Sequence, residues 1–256
     1  MYRENSLKNL LAQGRVAYGM ISAMDCAVAA EMIGMAGYDF VLVDGEHGPG
    51  DVPSHLHALQ AIGSTAATAL YRVEDNDRTA LKRALDLGVE GVMVPGVSNA
   101  AGARAAVAAC SYPSKGVRGF AAGVVRASDY GLSIGRYLSD GAAQLLISVM
   151  IESAEGVANA DEIAAVEGID VVQIGPADLS YDLGVPGRLD DPRYLAAQTA
   201  VEAAVGRQGK ILGGVVMPGI TLEYLLEHGY RMITLGADVV CLSRGLSTAL
   251  AAARGR

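Results

Sequence analysis

The sequence predicts an α/β fold of the (β/α)8 TIM-barrel type, a single domain over residues 1–256. Three observations carry that prediction. Short apolar runs recur about eight times, stretches of helical period separate them, and most of the runs are apolar at nearly every residue. Strands that alternate with helices make parallel βαβ units, and a strand covered on both faces loses the polar-out alternation of a half-exposed one. A length of 256 residues suits eight such units and is enough to bury a large core.

The chain opens on MYRENSLKNLLAQGR, which is charged and helix-like and lacks the apolar centre of a signal peptide. The expected strands are AYGMIS from Ala17, FVLVD from Phe40, TAATALYRV from Thr65, GVMVP from Gly91, LLISVMIE from Leu145, VVQIG from Val171, KILGGVV from Lys210 and RMITLG from Arg231. Between them helices are expected over Asp25 to Ala36, Val52 to Ile62, Asp77 to Asp86, Asn99 to Cys110, Ala160 to Val166, Tyr194 to Gly206, Thr221 to Glu227 and Ser243 to Ala253. Asn76-Asp77, Ser98-Asn99 and Ser243 supply N-cap chemistry, while Gly37, Gly88 and Gly229 stand where helices should end. The interval from Ser111 to Ala142, with its SYPSKGVRGFAAG, is too long for an ordinary connection; it reads as a functional loop plus short helix over the barrel mouth.

Composition narrows the function. A net charge of −8, without any basic run, leaves no electrostatic footprint for nucleic acid. No apolar run approaches the ~20 residues that span a bilayer. Cys26, Cys110 and Cys241 have neither disulfide-framework nor zinc-ligand spacing and read as buried free thiols in a reducing cytoplasm. A mean hydropathy of +0.29 is high for a lone monomer and points to surface covered in subunit contacts. Dinucleotide, nucleotide, zincin and serine-hydrolase signatures are missing. Lys210 stands at the wrong end of its strand for Schiff-base chemistry.

Barrel chemistry collects where strands end, because the βα loops form the open face. The second strand ends VLVDGEHGPG, which brings Asp44, Glu46 and His47 to the top, with His47 the acid/base candidate. His55, His57 and His228 lack such a position and read as helix-surface or packing residues. The third strand ends at Arg72, where a buried guanidinium needs an anion. Two readings are open: a salt bridge to a neighbouring carboxylate, or a hold on a substrate carboxylate or enolate oxygen. Glu152 ends the fifth strand and Asp178 follows the sixth. Hard oxygen ligands on adjacent strand ends, completed by water and substrate, suit Mg2+ or Mn2+. Asp86 reads either as a cap or surface acid or, if it reaches His47, as the carboxylate that orients the imidazole.

The motifs VLVDGEHGP, YRVEDNDRTALKRALDLGVEGVMVPGV, YPSKGVRGF, MIESAEGVANADEIAAVEGIDVVQIGPADLS and LGADVVCLSRGL together resemble the HpcH/HpaI aldolase family over nearly the whole chain. The resemblance implies a class II pyruvate aldolase with a divalent metal (Mg2+, Mn2+ or Co2+) on Glu152 and Asp178. Arg72 then lies on the enolate oxygen, His47 acts as base in a dyad with Asp86, and Gly175, Pro176 and Ala177 receive the pyruvate carboxylate by their backbone. It also implies a hexamer, with Asp44 near a subunit boundary. One departure is Met150, where many members carry a Gln beside the metal site; a thioether cannot replace an amide's donor and acceptor. The expected substrates are a 2-oxo acid and an aldehyde, without nucleic-acid or membrane partners. The rival readings are a malyl- or citryl-CoA-type lyase, an oxaloacetate decarboxylase or macrophomate-synthase-like enzyme, and an idle barrel with a binding or assembly role.

Overall fold

Eight apolar runs become eight parallel strands: β1 (Ala17–Ser22), β2 (Phe40–Asp44), β3 (Thr68–Arg72), β4 (Gly91–Val94), β5 (Leu146–Ile151), β6 (Val171–Ile174), β7 (Ile211–Val215) and β8 (Tyr230–Ala237). They close in sequence order into a barrel, β8 pairing back to β1. The computed structural model describes residues 3–255, so Met1, Tyr2 and Arg256 of the expected domain lie outside the described residues.

Period two along each strand sorts side chains between barrel interior and helix-facing layer. On β2, Phe40 and Leu42 join Leu70, Met93, Leu146, Met150, Val171 and Met232 in one buried cluster, while Val41 and Val43 belong to the other. The lower end of the interior is stoppered by α1 (Ser6–Ala12), which adds Leu7 and Leu11 to the inner cluster. Asn5 holds it in place, its Nδ2 donating to the carbonyls of Glu90 and Gln144.

The remaining helices are α2 (Ala27–Met35), α3 (Val52–Ile62), α4 (Arg78–Asp86), α5 (Ala100–Cys110), α6 (Ile134–Gln144), α7 (Ala154–Ala158), α8 (Ala160–Ala164), α9 (Pro176–Asp182), α10 (Pro192–Arg207), α11 (Leu222–Glu227) and α12 (Asp238–Ala253). Asp77 and Asn99 cap α4 and α5 as expected. Gly37, Gly88 and Gly229 take φ of 94°, 79° and 79°, the left-handed conformation that returns a helix toward the next strand. Among the described residues no helix is long and apolar enough to cross a membrane.

Three expectations are corrected. The segment from Ser111 is an α-to-β connection between α5 and β5, so it lies at the closed end of the barrel, with Arg3 and Asn5, and not over the mouth. Ser243 caps nothing, because β8 runs on to Ala237 and α12 starts at Asp238. Asp238 instead fastens the strand ends, its carboxylate accepting from the backbone N–H of Ala23 (2.9 Å) and Met24 (3.3 Å). Of the three free cysteines only Cys110 is buried; Cys26 is half-buried and Cys241 exposed. Asp86, at the closed-end terminus of α4, bonds Arg118 Nη2 at 2.9 Å and stands at the opposite end of its own barrel from His47, so one chain alone does not bring the two together.

One helix stands apart. Every residue of α12 from Val239 to Leu250 is exposed, among them Val239, Val240, Leu242, Leu246 and Leu250. On α2, Val28, Met32 and Met35 are exposed as well.

Candidate active site

The parallel register sets Asp44 beside Arg72 on neighbouring strands. The guanidinium grips the carboxylate in a two-point fork, Nε to Oδ1 at 2.9 Å and Nη2 to Oδ2 at 2.7 Å. Burial alone would push the Asp44 carboxyl up, but the Arg72 fork and the His47 and Glu46 amides hold it below the ordinary aspartate range. Those two N–H groups donate to Asp44 Oδ1 at 3.3 and 3.2 Å, so Asp44 fixes both the arginine and the start of the next loop. The expected anionic partner of Arg72 is therefore Asp44, and Asp44 is buried within its own chain.

Arg72 Nη1 lies 3.0 Å from Glu46 Oε2 without an aligned hydrogen bond, and His47 Nε2 is 3.6 Å from the same oxygen. His47 is open to solvent, its side chain 65% exposed. Burial pushes the Glu46 carboxyl up, opposed by Arg72 and His47 and reinforced by Asp44 and Asp178. Glu46 is thus an additional site residue. Its position in the same loop as His47 was visible in the sequence, but its side-chain direction was not.

Glu152 follows β5, and its Oε1 accepts from the Gly96 N–H at 2.6 Å. Its other oxygen faces Gly175, where an added Cβ would stand 2.5 Å from Oε2. Burial raises the Glu152 carboxyl, with repulsion from Glu46 and Asp178 adding to the rise. Asp178, which follows β6 as expected, is exposed in the first turn of α9. These oxygen donors suit a hard divalent cation, which would relieve the mutual repulsion. Among the described residues no group of three or more His, Cys, Asp or Glu is gathered as a ready-made metal cage. Glu152 and Asp178 would leave the other positions to water and substrate.

A cavity of about 170 Å³ at the strand ends is lined by His47, Arg72, Gly175, Pro176, Ala177 and Asp178, with Ile21, Leu42, Met93, Met150 and Val215 below. A larger one, about 360 Å³, lies at the closed end around Arg3, Glu90, Tyr112 and Arg118, away from the acids and His47. Met150 lines the smaller cavity, and its register partner on β6 is Gln173, a buried amide whose Oε1 has no hydrogen-bond partner. The amide missing at position 150 has a counterpart one strand away. The sequence showed Gln173 in VVQIG, but only the closed barrel turns it inward.

The sequence model of HpcH/HpaI aldolase/citrate lyase matches residues 18–244. The chain belongs to the HpcH/HpaI aldolase/citrate lyase family. A 4-hydroxy-2-oxo-heptane-1,7-dioate aldolase of Escherichia coli is 37% identical over 255 residues, covering 98% of this chain and 95% of the relative. The crystal structure of an HpcH/HpaI aldolase/citrate lyase family protein from Burkholderia cenocepacia J2315 superposes with a TM-score of 0.93 at 35% identity, covering 98% of this chain and 99% of the other. Macrophomate synthase is similar at a TM-score of 0.84 and 28% identity, over 97% of this chain and 88% of its own. Membership in the HpcH/HpaI family bears out the barrel and the expectation of an aldolase, a carbon-carbon lyase.

Proposed function

We propose that the protein is a divalent-metal-dependent class II aldolase that reversibly cleaves a 4-hydroxy-2-oxo acid to pyruvate and an aldehyde. The observation that carries this reading is the gathering of the Asp44-held Arg72, His47 and the Asp178 turn around one small cavity, with Glu152 beside it against Gly175. A bound Mg2+, Mn2+ or Co2+ on Glu152 and Asp178 would polarise the 2-oxo acid and favour its enolate. Arg72 is already neutralised through two of its nitrogens, and it offers Nη1 to the enolate oxygen. The backbone of Gly175 to Ala177 receives the carboxylate. His47, directly or through a water, takes the proton of the C4 hydroxyl as the C3–C4 bond breaks; the bonding pair stays on C3, the aldehyde leaves, and C3 is then protonated to give pyruvate. Condensation reverses these steps.

Oxaloacetate decarboxylation or a macrophomate-synthase-like reaction would use the same enolate. A CoA-thioester lyase fits less well, since Arg72 is the only Lys or Arg among the residues that line the cavity and the space is small. An idle barrel would have no use for Arg72 and His47 at the same opening. The whole chain acts as one domain, in a homo-oligomer, a hexamer by family resemblance. The exposed apolar residues of α12 and α2 support assembly. A cytoplasmic location fits the three free cysteines.

The test is metal-stripped protein with pyruvate in D2O, followed by methyl-proton NMR with and without Mg2+ or Mn2+. Metal-dependent exchange that disappears in Glu152→Ala and Asp178→Ala is the expected result. Absence of exchange with every metal, in folded protein, would overturn the pyruvate reading.

A further inference from the structure

Behind the loop that carries Glu46 and His47 lies a largely buried polar trio with no part in the chemistry just described. Tyr71 precedes Arg72 on β3, so its side chain leaves the opposite face of the strand, toward the helices. Its hydroxyl lies 2.8 Å from Nδ1 of His55 on α3, the two rings meeting edge to face. The other imidazole nitrogen, Nε2, is buried without a hydrogen-bond partner and stands 4.0 Å from Oδ1 of Asp25, an oxygen equally buried and unpartnered. Asp25 sits in the connection from β1 to α2 with φ of 52°, a left-handed conformation unusual for a residue other than glycine.

The loop rests on this trio at both ends. An added Cβ on Gly45 would come within 2.4 Å of the Tyr71 hydroxyl oxygen, and one on Gly50 within 2.5 Å of both Asp25 Oδ1 and His55 Nε2. Between those two points of contact stand Glu46 and His47. Burial pushes the Tyr71 hydroxyl well up, so it stays a phenol; donating to Nδ1, it would leave the His55 proton on Nε2, the side of Asp25. Stability alone gives a poor account of the trio. Two unpartnered buried polar atoms cost free energy that an apolar trio of the same shape would not incur.

We propose that Asp25, His55 and Tyr71 are positioning residues that brace the Gly45–Gly50 backbone and so set the direction of the His47 imidazole. The proposal rests on the reading of His47 as the base. Tyr71 fixes one end of the loop and the Asp25–His55 pair the other, while Asp44 holds the intervening amides.

The test measures cleavage of 4-hydroxy-2-oxopentanoate by the metal-loaded wild type and by Tyr71→Phe, His47→Ala, their double variant, His55→Leu and His55→Asn. Thermal unfolding of each variant is recorded alongside. The expected pattern is a fall in kcat of about tenfold in Tyr71→Phe, KM within about twofold, and no further loss when Tyr71→Phe is added to His47→Ala. His55→Asn, which keeps an acceptor near Nδ1, should recover most of the activity lost in His55→Leu. Multiplying losses in the double variant, or a Tyr71→Phe enzyme as fast as wild type, would overturn the proposal. If Tyr71→Phe does not fold, the two His55 variants decide it by the same comparison. A wild type that neither exchanges pyruvate protons nor cleaves this substrate refutes the aldolase reading itself, and the positioning role with it.

Discussion

Arg72 and Asp44 carry opposite charges in a place where either would be costly to bury alone. Removing one partner of a buried pair costs more than the pair contributes, because the survivor is left desolvated. Arg72→Met should therefore lose about 3 kcal/mol in urea unfolding at neutral pH as well as its activity. The cost should depend on pH in a definite direction. Asp44 is depressed in the folded wild type, so its contribution is full above the ordinary aspartate value of ~3.9 and is lost as pH falls through the lower folded value. Without Arg72 the buried carboxyl prefers its proton, and the stability gap between variant and wild type should narrow as the pH is lowered from 7 to 4. Gln173 calls for the opposite trade: Gln173→Met removes a buried amide whose Oε1 is unpartnered and should raise stability by roughly 1 kcal/mol while slowing turnover, read by unfolding and steady-state kinetics. Residue types were legible in the sequence, because a lone Arg or Glu after an apolar run stands out. Partners were not: Asp44 meets Arg72 only through strand register, and Asp86 meets Arg118 only once the chain has folded around the closed end.

Elements in this barrel are spaced by what glycines leave out. The Phe40 ring of β2 lies across Gly19 of β1, where an added Cβ would be 2.1 Å from the ring. Gly19→Ala should cost about 1–3 kcal/mol by overpacking, seen in thermal unfolding. Gly175 opens α9 beside Glu152, so Gly175→Ala should displace that carboxylate and weaken Mn2+ binding at least tenfold by calorimetry, with little change in the circular dichroism spectrum. All eight strands were visible as apolar runs, and α3 was placed to the residue; the structure shows its start fixed by an Asp51 cap and a proline in the first turn. The failures share a cause. Ser243 looked like a cap because local chemistry cannot show that β8 continues to Ala237, and the Ser111 segment looked like a lid because length alone does not say which end of a barrel a connection occupies.

For the molecule as a whole, the parallel barrel separates two jobs. Strand ends carry the candidate active site; strand beginnings carry the α1 stopper, the Arg3–Glu90 pair and the long connection to β5. Helix α12 fits neither job within one chain, since from Val239 to Leu250 it is exposed throughout. Leu246→Glu with Leu250→Glu should leave the barrel's secondary structure intact and shift the protein to smaller species in light scattering, because both side chains are more than half exposed in the single chain. If they are covered by another copy, folding and association become one equilibrium, and mass action ties stability to protein concentration. Such a protein has no single melting temperature: each tenfold dilution should lower the value recorded, and an assay run at nanomolar enzyme would sample a different population from one run at micromolar.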